Sequence, residues 1–323
     1  MDRLSVVVPA TDGPPTLARC TAALATALGP ADELIVVDGP EELSASAARN
    51  VGAARASGDA IVFVDADVEV HPDALERVRA ALADDAGAVA VCGSYDDAPD
   101  APGLVSRFRN LLHHHVHHQG AGPASTFWTG LGAVRRGAFE VSGGFDADRY
   151  PHPSIEDIEL GHRLVAAGGR IVLDPRIQGT HLKRWTLLSM LRTDLFRRGI
   201  PWVALLAREG RGSTALNLGW RHRLSAAACA VAVAAVALRR PVVAVAALVS
   251  LVGLNHGFYR LLARRQGPLH AAVGVALHGA HHLAALVAVP AGLALAASTG
   301  IVGLVRARRV RSTGAPAGRT VTP

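Results

Sequence analysis

The chain has 323 residues, enough for one catalytic domain of about 200 residues and something smaller. Half of the residues are apolar, the mean hydropathy is +0.26 and aromatics make up only 4%, so Ala, Val and Leu carry the excess; this argues against a wholly water-soluble enzyme. The net charge of +6 hides a division at Arg176: Met1 to Pro175 holds 13 Arg and no Lys against 25 acidic residues, and the remainder holds 20 basic against 2 acidic, with its arginines flanking apolar runs, which suits anionic lipid headgroups and disfavours nucleic acid as a partner.

The first expected element is a strand at Leu4 to Val8, a β-branched run stopped by Pro9. The segment before it is too short for a signal-peptide core and is followed at once by Pro9 and Asp12, so no export signal is expected. A helical stretch from about Thr16 to Leu28, a strand at Glu33 to Val37, an Ala-rich helix at Ser44 to Ala56 and a strand at Ala60 to Val64 come next. Strands alternating with helices imply a parallel sheet covered on its faces. Such sheets bind ligands beyond the carboxyl ends of their strands, where Asp12, Asp38 and Asp65 stand. Further strands are expected at Ala88 to Cys92 and Ile171 to Leu173. Cys20, Cys92 and Cys229 are far apart with no CxxC spacing and read as buried thiols in a reducing compartment.

After Trp185 the composition changes. Leu187, Leu188, Leu191, Leu195 and Phe196 recur at helical spacing among Arg192, Arg197 and Arg198, a pattern suited to lying on a membrane surface. Apolar runs follow at Leu224 to Leu238, Val242 to Tyr259 and His270 to Val305, separated by arginines and without one acidic residue. They read as about three transmembrane helices, or four if the last run is a hairpin broken near Pro290, which would return the tail from Arg306 to the inner side. The histidines His278, His281 and His282 fall inside the last run, where polar side chains are costly and often functional.

The central chemical signal is the apolar strand Ile61 to Val64 running straight into Asp65-Ala66-Asp67. Two carboxylates one residue apart offer hard oxygen ligands to a divalent cation, and a nucleoside diphosphate needs its charge neutralised before it can leave. Alone this is a weak signal, since acidic pairs at strand ends are often merely solvated. Its surroundings strengthen it: Ala48-Arg49-Asn50-Val51-Gly52 and Gly58-Asp59 upstream, Gly143-Gly144-Phe145-Asp146 and Glu156-Asp157-Ile158-Glu159-Leu160-Gly161 downstream. The run His113 to His118 has no nearby Cys to complete a zinc site and reads as a polar helix near a cleft.

In that order, over roughly Leu4 to Thr186, these motifs resemble the family 2 glycosyltransferases. The resemblance implies a GT-A fold, an α/β nucleotide-diphospho-sugar transferase architecture, and inversion at the anomeric carbon. It implies that Pro9, Asp12, Asp38 and Arg49 belong to the nucleotide site, that Asp65 and Asp67 hold the metal, Mn2+ or Mg2+, and the ribose, and that Asp157 is the general base, with Glu156 supporting it on the acceptor side. Part of the Glu156–Glu159 cluster is also what an ordinary salt-bridged helix start would contain. Gly130, in Phe127-Trp128-Thr129-Gly130, resembles the loop where small residues admit the acceptor. His181-Leu182-Lys183-Arg184-Trp185 resembles the Q-x-x-R-W motif of processive synthases with His for Gln. His181 is then either a third metal ligand or, with Arg184 and Trp185 on the acceptor side, part of a segment marking entry to the interface. The pattern departs from the family at Gly39-Pro40 and at Thr11-Asp12, so the base contacts are the least secure transfer.

The expected organisation is a cytoplasmic GT-A domain at 1–184, an amphipathic interfacial segment at 185–222, transmembrane helices at 223–305 and a disordered basic tail at 306–323. The expected activity is metal-dependent transfer of a sugar from a UDP- or GDP-sugar to a lipid-linked, for example polyprenyl-linked, or membrane-proximal acceptor, in a multi-pass protein of the inner or plasma membrane. A processive polysaccharide synthase and a catalytically inactive membrane adaptor are the competing readings.

Overall fold

The computed structural model describes residues 3–210, 213 and 215–313. Its chain begins with β1 (Leu4–Pro9), α1 (Leu17–Ala27), β2 (Glu33–Val37), α2 (Ala45–Arg55), β3 (Ala60–Val64), β4 (Val68–Val70), α3 (Ala74–Asp84) and β5 (Ala88–Tyr95). Next come α4 (Leu104–Gln119), β6 (Gly122–Ala124), β7 (Leu131–Arg135), α5 (Arg136–Ser142), α6 (Glu156–Ala166) and β8 (Arg170–His181). The last part is helical: α7 (Leu187–Arg192), a π-helical turn at Thr193–Gly199, α8 (Ile200–Glu209), α9 (Trp220–Ala237), α10 (Pro241–Leu254), α11 (His256–Gln266) and α12 (Pro268–Thr313).

The strands form one sheet in the order β2-β1-β3-β7-β5-β8-β4, with β6 paired to β8. The β2-β1-β3 edge is parallel, as the alternation of strands and helices requires. The sheet as a whole is mixed, because β7 runs antiparallel to both β3 and β5, and β4 antiparallel to β8. The short β4, β6 and β7 carry no long apolar run, and the expected all-parallel sheet omitted them for that reason.

Alternation along β3 divides the core in two. Val62 and Val64 point to the face covered by Leu24, Leu75, Val78 and Leu82. Ile61 and Phe63 point to the other, where Phe63 meets Phe145 at 5.1 Å and Phe139 at 5.5 Å between ring centroids. Cys20, Cys92 and Cys229 are buried and free, as expected of structural thiols.

The helical part is not a separate bundle. α12 packs against α4, the π turn, α8, α9 and α11, so through α4 it sits directly on the sheet-bearing part. Among the described residues, Pro268–Ser298 is the one helix long and apolar enough to cross a membrane; α10 and α11 pass the same test only together and are bent by 73° at Asn255. The continuous run expected at Val242 to Tyr259 therefore breaks near its end. α12 continues through Pro290 to Thr313, past the start expected for the tail, so the hairpin considered at Pro290 is not formed. Residues 314–323 of that tail lie outside the described residues.

Replacing the fully buried Phe63 by Ala removes the ring on which Phe139 and Phe145 rest. A destabilisation of about 3–5 kcal/mol is expected, read as a fall in unfolding midpoint; an unchanged midpoint would contradict the packing described.

Candidate functional site

Three strand ends and one helix start create the site. β3 delivers Asp65 at its carboxyl end, where the Asp65 N–H donates to the Gly130 carbonyl at 3.2 Å. β4 then pairs with β8 in a register that sets Val68 opposite His181, and Leu182 N–H donates to the Asp67 carbonyl at 2.8 Å. That register brings Asp67 and His181, 114 positions apart in the chain, face to face: His181 Nε2 lies 3.6 Å from Asp67 Oδ2, and Lys183 Nζ lies 3.7 Å from the same oxygen. Burial alone would raise the Asp67 carboxyl; His181 and Lys183 outweigh it and hold the group down to about 2. The far side of the His181 ring is fixed by Nδ1 donating to Asn110 Oδ1 at 2.6 Å and by the Tyr95 ring stacked at 4.0 Å. With Nδ1 so engaged, Nε2 is the ring nitrogen turned to Asp67, able to donate to that carboxylate when protonated and to face a cation when not.

Arg49, buried in α2, ties this edge to α6. Its guanidinium donates to Asp65 Oδ1 at 2.7 Å and to Glu156 Oε1 at 3.0 Å. Burial works against its charge, and the two carboxylates more than compensate, so the guanidinium stays charged. Glu156 is buried too, with its second oxygen accepting from Ser154 N–H at 2.7 Å.

Asp157 stands next to Glu156 and opens to the cavity, with Oδ1 accepting from Ile158 N–H at 2.8 Å and Oδ2 from Thr129 N–H at 3.4 Å. Burial, reinforced by the Glu156 carboxylate, pushes Asp157 up to about 6, against the opposing pull of Arg49 and Arg198. A carboxylate near this value is ionised at neutral pH and still basic enough to take a proton. The approach of α6 to the Thr126–Thr129 loop depends on Gly161: a Cβ there would lie 2.3 Å from Phe127 N and 2.9 Å from Thr126 Cα.

All of these groups line a cavity of about 940 Å³ that continues past Thr129, Arg197 and Arg198 to the apolar side chains of α8 and α12. Among the expected site residues, Arg49, Asp65, Asp67, Glu156, Asp157, His181 and Trp185 line it; Pro9, Asp12, Asp38, Gly130 and Arg184 do not. Asp12 and Asp38 are exposed beyond β1 and β2, at the sheet edge away from the cavity. Gly130 is required by packing, since a Cβ would meet the Trp128 ring at 2.3 Å. Arg184 is exposed, whereas its neighbour Lys183 takes the place by Asp67 and stands 5.2 Å over the Trp185 ring. His113 and His117 of the polar run also line the cavity, their rings set against Trp128.

Tyr95, Arg109, Asn110, Trp128 and Arg198 also line the cavity, and no motif marked them as a group. Trp128 stands in the loop marked by Gly130, and Arg198 in the basic segment, where the same spacing also fits a membrane-facing helix; Tyr95, Arg109 and Asn110 carry no signal.

Among the described residues no three His, Cys, Asp or Glu side chains converge closely enough to hold a cation by themselves. What does fit is a partial donor set: Asp67 and His181 Nε2 facing each other, with Asp65 beside them and one of its oxygens taken by Arg49. Cations that act on nucleotides are commonly held this way, by one or two protein carboxylates and the substrate's phosphates.

Residues 39–143 match the family model described as Glycosyl transferase family 2. Among solved structures, the chain is similar to a mannosyltransferase, PcManGT, from Pyrobaculum calidifontis in complex with GDP-Man and Mn2+, with 18% identity over 88% of this chain and 86% of that one and a TM-score of 0.54. At that identity the likeness concerns the fold. It is also similar to S. aureus TarS 1-349, at 11% identity over 88% and 90% of the two chains, with a TM-score of 0.44 too low to argue from. No curated protein sequence matches the chain.

Gly161→Ala is expected to push α6 off the Thr126–Thr129 loop and displace Asp157. Turnover should fall roughly 10²-fold in a protein that retains its helical circular dichroism; full turnover would show that the close contact does not position Asp157.

Proposed function

We propose, from the premise that this chain is a glycosyltransferase carrying a family 2 domain over residues 39–143, that it inverts the sugar of a nucleotide donor onto a hydroxyl of a lipid-linked acceptor. The observation that carries this reading is the single cavity joining Asp65, Asp67 and Asp157 to the apolar wall of α12. The donor diphosphate would lie by Asp65, Asp67 and Lys183, and the acceptor would enter from the α8 and α12 side.

In the step itself the acceptor oxygen forms a bond to the anomeric carbon as the bond from that carbon to the donor's phosphate oxygen breaks, and the hydroxyl proton passes to Asp157. The electron pair of the broken bond leaves on the nucleoside diphosphate. Asp67 and His181, with the free oxygen of Asp65, would hold Mn2+ or Mg2+, which when bound supplies positive charge to the departing diphosphate. Lys183 adds a fixed cation at the same place. UDP or GDP as the nucleotide is supported by the fold likeness only; the exposed Asp12 and Asp38 remain the proposed base and ribose contacts, since a bound nucleotide would extend out of the cavity along the strand ends.

A membrane setting is supported by Pro268–Ser298 and by the exposed apolar side chains Leu187, Leu188 and Phe196 before α8 and Val231, Val242 and Leu293 in α9, α10 and α12. The reading keeps a GT-A domain at 1–184 facing the cytoplasm, an interfacial segment at 185–222 and membrane helices from 223. The protein should therefore remain in the membrane pellet after alkaline carbonate extraction.

The decisive experiment is donor-to-lipid transfer by the full chain in detergent. Asp157→Asn should lose at least about 10²-fold in kcat. In the unsubstituted protein kcat/KM should rise with pH through about 6 and level above it, because the base must be ionised. The same shift has a stability consequence of opposite sign. Because the folded value lies above the ordinary carboxyl range, stability falls as pH rises from about 4 to about 6, and Asn should raise stability at neutral pH by about 1–2 kcal/mol. An inactive but more stable variant supports the base; a fully active one removes Asp157 from the mechanism. Chelation should abolish transfer and Mn2+ restore it, and His181→Ala should raise the Mn2+ requirement by about 10–100-fold.

A further inference from the structure

Between the catalytic carboxylates and the apolar wall lies a short stretch of charge that the reaction as described does not use. The π turn Thr193–Gly199 supplies it. Asp194 turns inward and is consumed: Arg109 lies 2.6 Å from Oδ1, and His281 Nδ1 lies 2.8 Å from Oδ2. Arg197 and Arg198 line the cavity, and neither guanidinium has a hydrogen-bond or ion-pair partner among the described residues; Arg197 contributes only its backbone carbonyl, to Ser154 Oγ at 2.7 Å. The other cavity cations near the carboxylates are already matched, Arg49 by Asp65 and Glu156, Arg109 by Asp194 and Lys183 by Asp67.

Arg197 and Arg198 line the same cavity as Asp157, and both are exposed to it. The charge of Arg198 is felt by Asp157, by Asp194 and by Tyr95. An anion held by Arg198 would lie in the same cavity as the proposed base. His282 lines the same stretch from α12. It is 2% exposed, and its Nε2 has no hydrogen-bond partner among the described residues, a costly arrangement for a buried nitrogen unless a ligand completes it. Beyond these groups the wall is apolar, made by Trp202, Val203 and Leu206 of α8 and Leu286, Val289 and Leu293 of α12. The two helices lie close at small residues: a Cβ on Gly199 would be 2.6 Å from Ala288 Cβ, and one on Gly292 2.6 Å from Val203 Cβ.

We propose that Arg198, with Arg197 beside it, holds the anionic group of the acceptor, and that the acceptor is a lipid presenting a phosphate to these arginines, a hydroxyl to Asp157 and its hydrocarbon chain to the wall between α8 and α12. Guanidinium suits this task because its planar fork can donate two parallel hydrogen bonds to one phosphate. A neutral lipid would leave both exposed arginines to water, and a free sugar would leave the apolar wall uncovered. The inference rests on the glycosyltransferase reading and narrows it to an anionic, hydroxyl-bearing lipid.

The test uses the full chain in a neutral detergent with three probes, decyl phosphate, decanol and inorganic phosphate, whose binding is read from thermal shifts across a concentration series. Decyl phosphate should bind at least about tenfold more tightly than either of the others. Arg198→Gln should shrink its advantage over decanol to about threefold or less, and Arg198→Lys, which keeps the charge without the fork, should recover part of it. Equal binding of decyl phosphate and decanol by the unsubstituted protein overturns the anion site, a result that stands even if a variant fails to fold. Inorganic phosphate binding as tightly as decyl phosphate overturns the lipid assignment, and an undiminished advantage in Arg198→Gln overturns the role of Arg198. UDP and GDP shifts on the same unsubstituted samples separate the two levels: nucleotide binding without phosphate discrimination sinks this inference alone, and absence of both sinks the donor site with it.

Discussion

The guanidinium of Arg49 is the contact on which the site's geometry depends. It reaches Asp65 at the end of β3 and Glu156 at the start of α6, groups separated by 16 and 107 positions from it in the chain. A buried cation between two carboxylates has no inexpensive alternative, since loss of one partner leaves an uncompensated charge at a cost of about 3–5 kcal/mol. The strand tip and the helix start are therefore held at a fixed separation, and the positions of Asp65 and Asp157 follow from it. The Glu156 charge kept there by Arg49 is also what helps raise the proton affinity of Asp157. Burial remains the larger cause of that rise, and Arg49 itself opposes it, so the contact bears on the position of the proposed base more than on its basicity.

A second constraint comes from strand register. β4 is only three residues long, yet its pairing with β8 is what brings Asp67 to His181 and Lys183. A one-residue slip would turn His181 to the opposite face of the sheet and dismantle the partial cation site. The stack of Tyr95 on His181 and the bond to Asn110 make that slip costly, because each also anchors the ring from a different element.

The helical part does more than cover the catalytic half. Arg109 of α4, Asp194 of the π turn and His281 of α12 meet in one buried contact, so a helix able to cross a membrane is joined by charge to a helix that walls the cavity. In buried surroundings such a contact is strong, and losing one partner is costly. The contact fixes the position of α12 against the wall of the cavity.

The amino-acid sequence by itself determined the order of the elements on the parallel edge, the acidic pair at the end of Ile61 to Val64, the Glu156-Asp157 start of a helix and the apolar character of the last third. Each is a local pattern of periodicity or residue type, and local patterns survive without knowledge of neighbours. The antiparallel β7, the three-residue β4 and the break at Asn255 were decided by tertiary pairing and packing, which leave little trace in short segments. The tertiary structure alone decided that Arg49 clasps Asp65 and Glu156, that Lys183 and not Arg184 stands by Asp67, and that Tyr95 and Asn110 orient His181. It also placed Gly130 under the Trp128 ring, and left Asp12 and Asp38 at an exposed edge. Arg197 and Arg198 show the difference most directly: spacing marks them as basic residues of an amphipathic segment, but whether a charge faces lipid, water or a cavity depends on which helices come to lie across from it, and that is set by packing between residues nearly a hundred positions apart.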